Sequence, residues 1–378
     1  MQKVPGGILR AEPRERFLSK MAGQPRKVLV VAGGGASRLV ECSVAIHALK
    51  KKYPAAETTL VASGVPREIA ECVPDADKVV CTDGRDGAGT GLWGLLSWVW
   101  KSRFDVVLCQ ERDRRSELVA LASGAPLRVG WRKGAGRLAF NEGASGPFPN
   151  GRDAPITALL DSIGVDTEGV RPRLKQPEGQ GRFVGKFRAR HGLGEKDKLV
   201  ALCLSGSLEA ARWPEVYFAS LAEMLKERGF VPVLFGAKRD ARSALEVGKA
   251  AGKPLVSCVG SSLEEMVSIL SVCEVAVGGD SHLCHLAGAI GVPVVMIFGP
   301  TEPSRYPLGD KTIVMTASNS PCKPCWDLGR KRCPKLHHDC MRLVTPDEVL
   351  EKLRGVISLK TPVPQSKRPS RDKLPVTY

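Results

Sequence analysis

Residues 273–306 have the sequence CEVAVGGDSHLCHLAGAIGVPVVMIFGPTEPSRY. The apolar run at its start predicts a buried strand that ends at the two glycines before Asp280, and Asp280 or Ser281 is a suitable cap for the helix that follows. The Gly-Val-Pro at 291–293 ends that helix before another strand. Free N–H groups at the helix start, together with the helix dipole, predict a pyrophosphate-binding site. The alternative interpretation is a purely structural cap with a core-facing histidine.

The same alternation of apolar strands and helical segments extends outward from this stretch. Strands are predicted at 27–32, 58–62, 78–81, 105–109 and 128–131, and in the second half at 199–204, 231–236, 255–260, 274–278, 294–299 and 312–315. Strands that alternate with helices form parallel sheets covered on both faces. We therefore predict an α/β protein with two Rossmann-like, doubly wound domains whose strand ends face each other across a ligand cleft.

Changes in composition predict the domain boundaries. The ranges are a flexible basic leader at 1–26, an acceptor-side domain at 27–175, a linker at 176–196, a nucleotide-sugar-binding domain at 197–345, a C-terminal helix at 346–359 and a disordered basic tail at 360–378. The length of 378 residues fits two domains. No secretory or bilayer-spanning apolar stretch is present, so we expect a cytoplasmic location.

Composition and motifs argue against several other classes. The net charge is +16, but the leader and tail carry +8 of it and no recognition helix, zinc finger or aromatic RNA-binding motif accompanies the rest, so nucleic acid is not an expected partner. The glycines at 33–35 invite a dinucleotide-binding interpretation, but the third glycine of that fingerprint would fall at Arg38 and no acidic residue ends the second strand. A Walker loop is absent as well.

Several motifs, in order and with matching spacing over roughly residues 27–358, resemble glycosyltransferase family 9, the ADP-heptose:lipopolysaccharide heptosyltransferases with the GT-B fold. These are ALKKKYP at 48–54, DVVLCQ at 105–110, RVG at 128–130, RPRL at 171–174, RWP at 212–214, ERG at 227–229, DS at 280–281 with HL at 285–286, and FGPT at 298–301. The resemblance implies inverting transfer of a sugar, with ADP-heptose as the expected donor. The expected acceptor is a lipid-linked or core oligosaccharide at the cytoplasmic face of the inner membrane.

The same resemblance, with the loops around it, supplies the candidate site residues. Donor binding is assigned to Ser207, Arg212, Asp280, Ser281, His282, His285, Gly299, Pro300, Thr301 and Glu302, and acceptor binding to Arg38, Gln110, Arg114 and Arg115. No cofactor or metal is expected for catalysis.

This chain departs from the family pattern at three positions. Arg38 stands where an Asp is the proposed base, Ala211 stands where a Lys usually meets a donor phosphate, and His282 replaces a Gly. An arginine cannot accept the acceptor's proton. Candidate replacement bases are Glu41, Glu111 and Asp113, each of which also suits an ordinary exposed position. Two alternatives stay open, namely a degenerate member that binds nucleotide sugar or anionic glycan without turnover, and another GT-B enzyme of the epimerase type.

Two further segments carry chemistry of their own. Cys322, Cys325, Cys333 and Cys340 have the number and spacing for a structural zinc or an iron–sulfur cluster, with reduced thiols in a packed loop as the alternative. The tryptophan-rich stretch at 91–101 fits either a helix lying on a membrane surface or an ordinary helix packed on the sheet.

Overall fold

The computed structural model describes residues 24–82, 91–132, 134–144, 155–317, 320, 322–323, 325 and 333–358. The described chain forms two compact units, each built around a parallel sheet, so the predicted α/β class is confirmed. The first unit holds the described residues up to Gln180 together with 288–291 and 304–310, and the second holds the others. Within the described ranges, no helix combines the length and apolarity needed to cross a bilayer.

The first unit has a five-stranded sheet in the order β3-β2-β1-β4-β5. Its strands are β1 (Lys27–Ala32), β2 (Glu57–Ala62), β3 (Lys78–Cys81), β4 (Val106–Cys109) and β5 (Leu127–Val129). Its helices are α1 (Ala36–Lys52), α2 (Arg67–Ala70), α3 (Leu92–Ser102), α4 (Arg114–Ser123), α5 (Gly136–Ala139) and α6 (Ile156–Ser162). β1 is the central strand and is apolar and buried from Val28 to Ala32, and the order reverses between β1 and β4. In such sheets, ligands bind outside the strand ends at that reversal.

The second unit has a six-stranded sheet in the order β11-β10-β9-β6-β7-β8. Its strands are β6 (Lys198–Cys203), β7 (Phe230–Phe235), β8 (Val256–Ser257), β9 (Cys273–Gly279), β10 (Val294–Phe298) and β11 (Thr312–Thr316). Its helices are α7 (Gln180–His191), α8 (Glu215–Lys226), α9 (Ala241–Ala250), α10 (Leu263–Leu270), α11 (His282–Ala289), α12 (Asp339–Arg342) and α13 (Pro346–Arg354). Here the order reverses between β6 and β9, so the loop after β6 lies beside Asp280.

The structure revises two of the predicted boundaries. The predicted linker at 176–196 contains α7, whose Phe187 is buried and contacts the His191 ring, with 4.7 Å between the two ring centres. The predicted C-terminal helix at 346–359 ends at Arg354 with Gly355 as its C-cap, and its apolar face is part of the second unit's core. The tail at 360–378 and most of the leader at 1–26 lie outside the described residues.

Candidate active site

A glycine loop at the end of β1 makes room for a carboxylate from the end of β4. Gly34 and Gly35 have φ values of 83° and 89°, which favour glycine, and they lead directly into α1. A Cβ atom at Gly33 would lie 2.9 Å from Cγ of Glu111. A larger residue at position 33 would therefore displace Glu111 from the strand end.

Arg38 connects two of the three candidate bases. Its Nη1 donates to Oε2 of Glu41 at 2.9 Å, and its Nε lies 3.2 Å from Oε1 of Glu111. The amide of Gln110 donates to the same Glu41 oxygen. The Glu111 side chain is 14% exposed and the Glu41 side chain 9%. Glu111 is therefore the more accessible of the two carboxylates, whereas Glu41 is held from two sides.

The other candidates of the first unit have different surroundings. Asp113 is the N-cap of α4, because its Oδ1 accepts a hydrogen bond from the N–H of Ser116 at 2.7 Å. Gln110 is fully buried, and its side-chain amide positions Glu41 through a hydrogen bond. Arg114 is exposed at the start of α4. Arg115 borders a cavity of about 110 Å³ whose other lining residues are Val80, Thr82, Gly91, Gly94, Leu95 and Trp98.

In the second unit, Asp280 is the centre of a buried hydrogen-bond network at the end of β9. Its Oδ1 lies 2.9 Å from Nε2 of His285, and its Oδ2 lies 3.3 Å from the Ser207 hydroxyl. A backbone hydrogen bond joins the same two residues, since the N–H of Ser207 donates to the Asp280 carbonyl at 2.8 Å. Burial alone would raise the pKa of Asp280, but the hydrogen bond and charge of His285 and the hydrogen bond from Ser207 lower it overall. The carboxylate is therefore ionised at neutral pH.

Ser281, and not Asp280, caps α11. Its hydroxyl accepts a hydrogen bond from the N–H of Cys284 at 3.4 Å, while the Asp280 side chain is engaged by His285. Helix geometry leaves the N–H groups of His282 and Leu283 without an acceptor in their own helix. Burial, followed by the charge of Arg239, lowers the pKa of His282, so its ring is neutral at pH 7. Any anion bound at this turn would therefore be held by backbone N–H groups and not by the charge of the His282 ring.

Arg212 belongs to a second network, which the sequence analysis did not find. It pairs with Asp240, which is fully buried, and its Nη1 donates to the Ser243 hydroxyl at 3.1 Å. Asp240 also accepts a hydrogen bond from Ser205 at 2.6 Å. Burial opposes ionisation of Asp240, but Ser205 and Arg212 lower its pKa overall. Arg212 is therefore anchored with 27% of its side chain exposed at the loop after β6.

The loop after β10 packs against the cysteine-containing segment. A side chain at Gly299 would overlap Met341 and would bring its Cβ to 3.0 Å from Sγ of Cys340. Gly299, Pro300 and Thr301 are buried, and Glu302 is half-buried. The shape of this predicted donor loop therefore depends on how α12 is placed.

The four clustered cysteines are neighbours without forming disulfides. All twelve cysteines of the chain are free thiols. Burial, followed by the charges of Cys325, Cys322 and Cys333, raises the pKa of Cys340 to about 12. As placed in the described ranges, no three His, Cys, Asp or Glu side chains are grouped so that they could hold a metal ion. The structure thus brings the thiols near one another without closing a coordination site.

Comparison with known proteins gives a consistent result. Residues 98–335 match the model of glycosyltransferase family 9 (heptosyltransferase). Lipooligosaccharide heptosyltransferase 2 of Haemophilus influenzae is 26% identical over 330 residues, which cover 82% of this chain and 93% of that protein.

Two solved structures share the fold. The E. coli ADP-heptose lps heptosyltransferase II superposes with a TM-score of 0.67 at 22% identity and covers 87% of this chain and 98% of its own. The glycosyl transferase family 9 structure from Veillonella parvula has a TM-score of 0.71 at 18% identity, with 88% and 97% covered. Together with the Asp280–His285 network at the strand end, the match over most of its length shows that this chain belongs to glycosyltransferase family 9 and is a glycosyltransferase.

Proposed function

We propose that the protein transfers heptose from ADP-heptose to a hydroxyl of a lipopolysaccharide-core or related glycan, with inversion at the anomeric carbon. The observation that carries this proposal is the turn at Asp280 and Ser281. It presents helix N–H groups to an anion, and the Asp280 carboxylate is held rigidly by His285 and Ser207. The relatives named above are heptosyltransferases, which supports heptose as the sugar.

The second unit is the donor side in this proposal. Backbone N–H groups at the start of α11 stabilise the diphosphate as it leaves, and Arg212 contributes a cation from the loop after β6. Asp280 and His285 then contact the sugar and diphosphate. Because Asp240 and Ser243 anchor the Arg212 side chain, its charge is preorganised for an anion and does not have to be ordered when the donor binds.

The first unit is the acceptor side, and we propose Glu111 as its base. Glu111 removes the proton from the acceptor hydroxyl as that oxygen bonds to the anomeric carbon and the bond from this carbon to the diphosphate oxygen breaks. Glu111 is preferred to Glu41 because it is the more exposed of the two, and to Asp113 because that carboxylate caps α4. Arg38 acts as a positioning residue that orients Glu111.

We also propose a structural metal ion at Cys322, Cys325, Cys333 and Cys340. Their number and chemistry suit a tetrahedral thiolate site, and a bound cation would offset the mutual repulsion of four neighbouring thiolates. Four protein ligands leave no open position for a substrate, so the ion takes no part in the transfer step. Its role would be to fix the segment that supports Gly299.

A transfer assay tests the function directly. The protein is incubated with ADP-heptose and a panel of truncated core oligosaccharides, and both ADP release and the mass gain of one heptosyl unit are measured. We expect release that depends on the acceptor, and a loss of about 100-fold in kcat/KM for Asp280→Asn. Glu246→Gln, an exposed carboxylate of α9, is the control and should leave activity unchanged.

A non-catalytic binder gives a different outcome. Such a protein would retain binding of ADP-heptose while releasing no ADP with any acceptor. That result would overturn the proposed transfer activity and restore the degenerate alternative.

A further inference from the structure

Two tryptophans of α3 lie on the side of the helix that faces away from the core. Packing in the core therefore does not account for these two large apolar side chains. Trp93 is 83% exposed and Trp100 is 57% exposed. They are seven residues apart and therefore share one side of the helix. Leu95 and Val99 of the same helix are buried against the sheet, so this helix already has its core-facing side.

The exposed apolar side chains of the first unit are concentrated on three adjacent helices. Among its described residues, the large apolar side chains that are exposed are Trp93 and Trp100 of α3, Leu118 and Leu121 of α4, and Leu138 of α5. These three helices share one core cluster through Val99, Val119 and Ala139. We call this surface of α3, α4 and α5 the apolar face. Five exposed large apolar side chains on three neighbouring helices indicate a binding surface, since exposed apolar residues in ordinary proteins are scattered singly.

Cations accompany the tryptophans. Lys101 and Arg103 follow Trp100 and are exposed, and the Arg103 guanidinium lies 5.7 Å from the centre of the Trp100 ring. Arg112, which precedes α4 and lies 4.9 Å from the centre of the Trp131 ring, and Arg137 of α5 are also exposed. The combination of tryptophan with basic residues is typical of surfaces that rest in the headgroup region of an anionic bilayer.

We propose that the apolar face docks on an anionic phospholipid bilayer, with Trp93 and Trp100 inserted among the headgroups and Lys101 and Arg103 over the lipid phosphates. The proposal rests on the proposed function in one respect, because a lipid-linked acceptor gives the enzyme a reason to work at a membrane. A second copy of this chain is a poorer occupant. A symmetric pair through this surface would bring like charges of Lys101 and Arg103 together.

Vesicle co-sedimentation of the full chain tests the proposal. The probes are vesicles of phosphatidylethanolamine with phosphatidylglycerol and vesicles of phosphatidylcholine alone. We expect binding to the anionic vesicles only, weakened by salt. Trp93→Ser with Trp100→Ser should weaken it by about tenfold or more. Lys101→Glu with Arg103→Glu should weaken it by about fivefold or more per residue.

Matched controls separate this surface from general effects. Leu245→Ser removes an exposed leucine from α9 in the second unit. Lys253→Glu reverses an exposed charge in the loop after α9. Both should bind vesicles as the unaltered chain does. Brominated lipids should quench fluorescence in the unaltered chain and not in the double tryptophan variant.

The outcomes also separate this inference from the transfer activity. The double tryptophan variant should retain transfer to a core oligosaccharide stripped of its acyl chains. Equal binding by variant and unaltered chain, or no anionic preference, would overturn the membrane proposal while transfer stands. A lipid-free dimer that the tryptophan substitutions abolish would also overturn it, in favour of a second copy. Absence of transfer with intact vesicle binding would overturn only the proposed function.

Discussion

The positive charge of Arg38 lies at the N-terminal end of α1, where the helix dipole disfavours a cation. It lies in the first turn of α1, which has no acidic residue, and a cation there is unfavourable by about 0.3–1 kcal/mol. Glu41 and Glu111 offset this charge through ion pairs. The arginine is therefore best understood through the two carboxylates with which it pairs, Glu41 on the same helix and Glu111 after β4.

Substitution of each candidate base should separate their roles. Glu111→Gln removes the proton acceptor while keeping the shape of the side chain, so kcat should fall by about 10²–10⁴-fold with little change in donor affinity. Glu41→Gln should lower kcat by much less, since it disturbs only the support of Arg38. Asp113→Asn should leave kcat unchanged and lower the free energy of unfolding by at most about 1 kcal/mol. Steady-state kinetics and urea unfolding measure these effects.

The result that would contradict the assignment is equally specific. If Glu111→Gln retains most of the kcat while Glu41→Gln abolishes it, the base is Glu41 and Glu111 is only a neighbour. A pH profile of kcat distinguishes the two further, because loss of the base removes the acid limb of the profile while loss of a positioning group leaves that limb in place.

Residue-level roles that depend on distant partners could not be predicted from the sequence. The Asp280 turn was predictable because strand, cap and helix are contiguous in the chain. The pairing of Arg212 with Asp240 joins two different loops. Gln110 was predicted at a strand end, where it does lie, but only the structure shows that its amide turns inward to Glu41.

At the level of elements, continuous apolar runs predicted the strands well, because central parallel strands are buried on both faces. α7 was missed because its sequence is basic and its apolar side is short. Phe183 and Phe187, one helical turn apart, were the available signal. The stretch at 91–101 forms a helix packed on the sheet, in which Trp98 packs on Phe104 at 5.8 Å while Trp93 faces outward. Its interpretation as a membrane-surface helix stays a prediction.

The cysteine segment should behave as a metal-stabilised element. Protein purified without chelators is expected to hold about one metal ion per chain by elemental analysis, and Cys333→Ser should lose it. Because Gly299 packs against Cys340 and Met341, loss of the ion should raise the KM for the donor more than it lowers kcat. Cys72→Ser, in the first unit, is the matched control and should keep the metal. A content below about 0.1 metal per chain would dismiss the proposal.

At the scale of the whole molecule, both cores contain thiols that resist ionisation. Burial is the largest cause of the raised pKa of Cys42 and Cys109 in the first unit and of Cys258 and Cys273 in the second. In the unfolded chain these thiols ionise near pH 9. When a thiol has a higher pKa in the folded protein than in the unfolded chain, its protonated form stabilises the fold. This contribution is fully present below the pKa of the unfolded chain and is lost progressively as the pH rises above that value.

The free energy of unfolding should therefore fall steeply in alkali. Above about pH 9, each such thiol should remove about 1.4 kcal/mol of stability per pH unit, so the two thiols of each core together should remove about 3 kcal/mol from their unit at pH 10. Urea unfolding under reducing conditions at pH 7.5 and pH 10 measures the loss. Cys109→Ala should have a lower free energy of unfolding than the unaltered chain at pH 7.5, because the substitution removes buried atoms. Its free energy of unfolding should nevertheless fall less steeply with pH, by about the contribution of one thiol. Equal stability at both pH values would show that the thiols are reached by solvent in the folded protein, and an unchanged slope in Cys109→Ala would assign the decline to other groups.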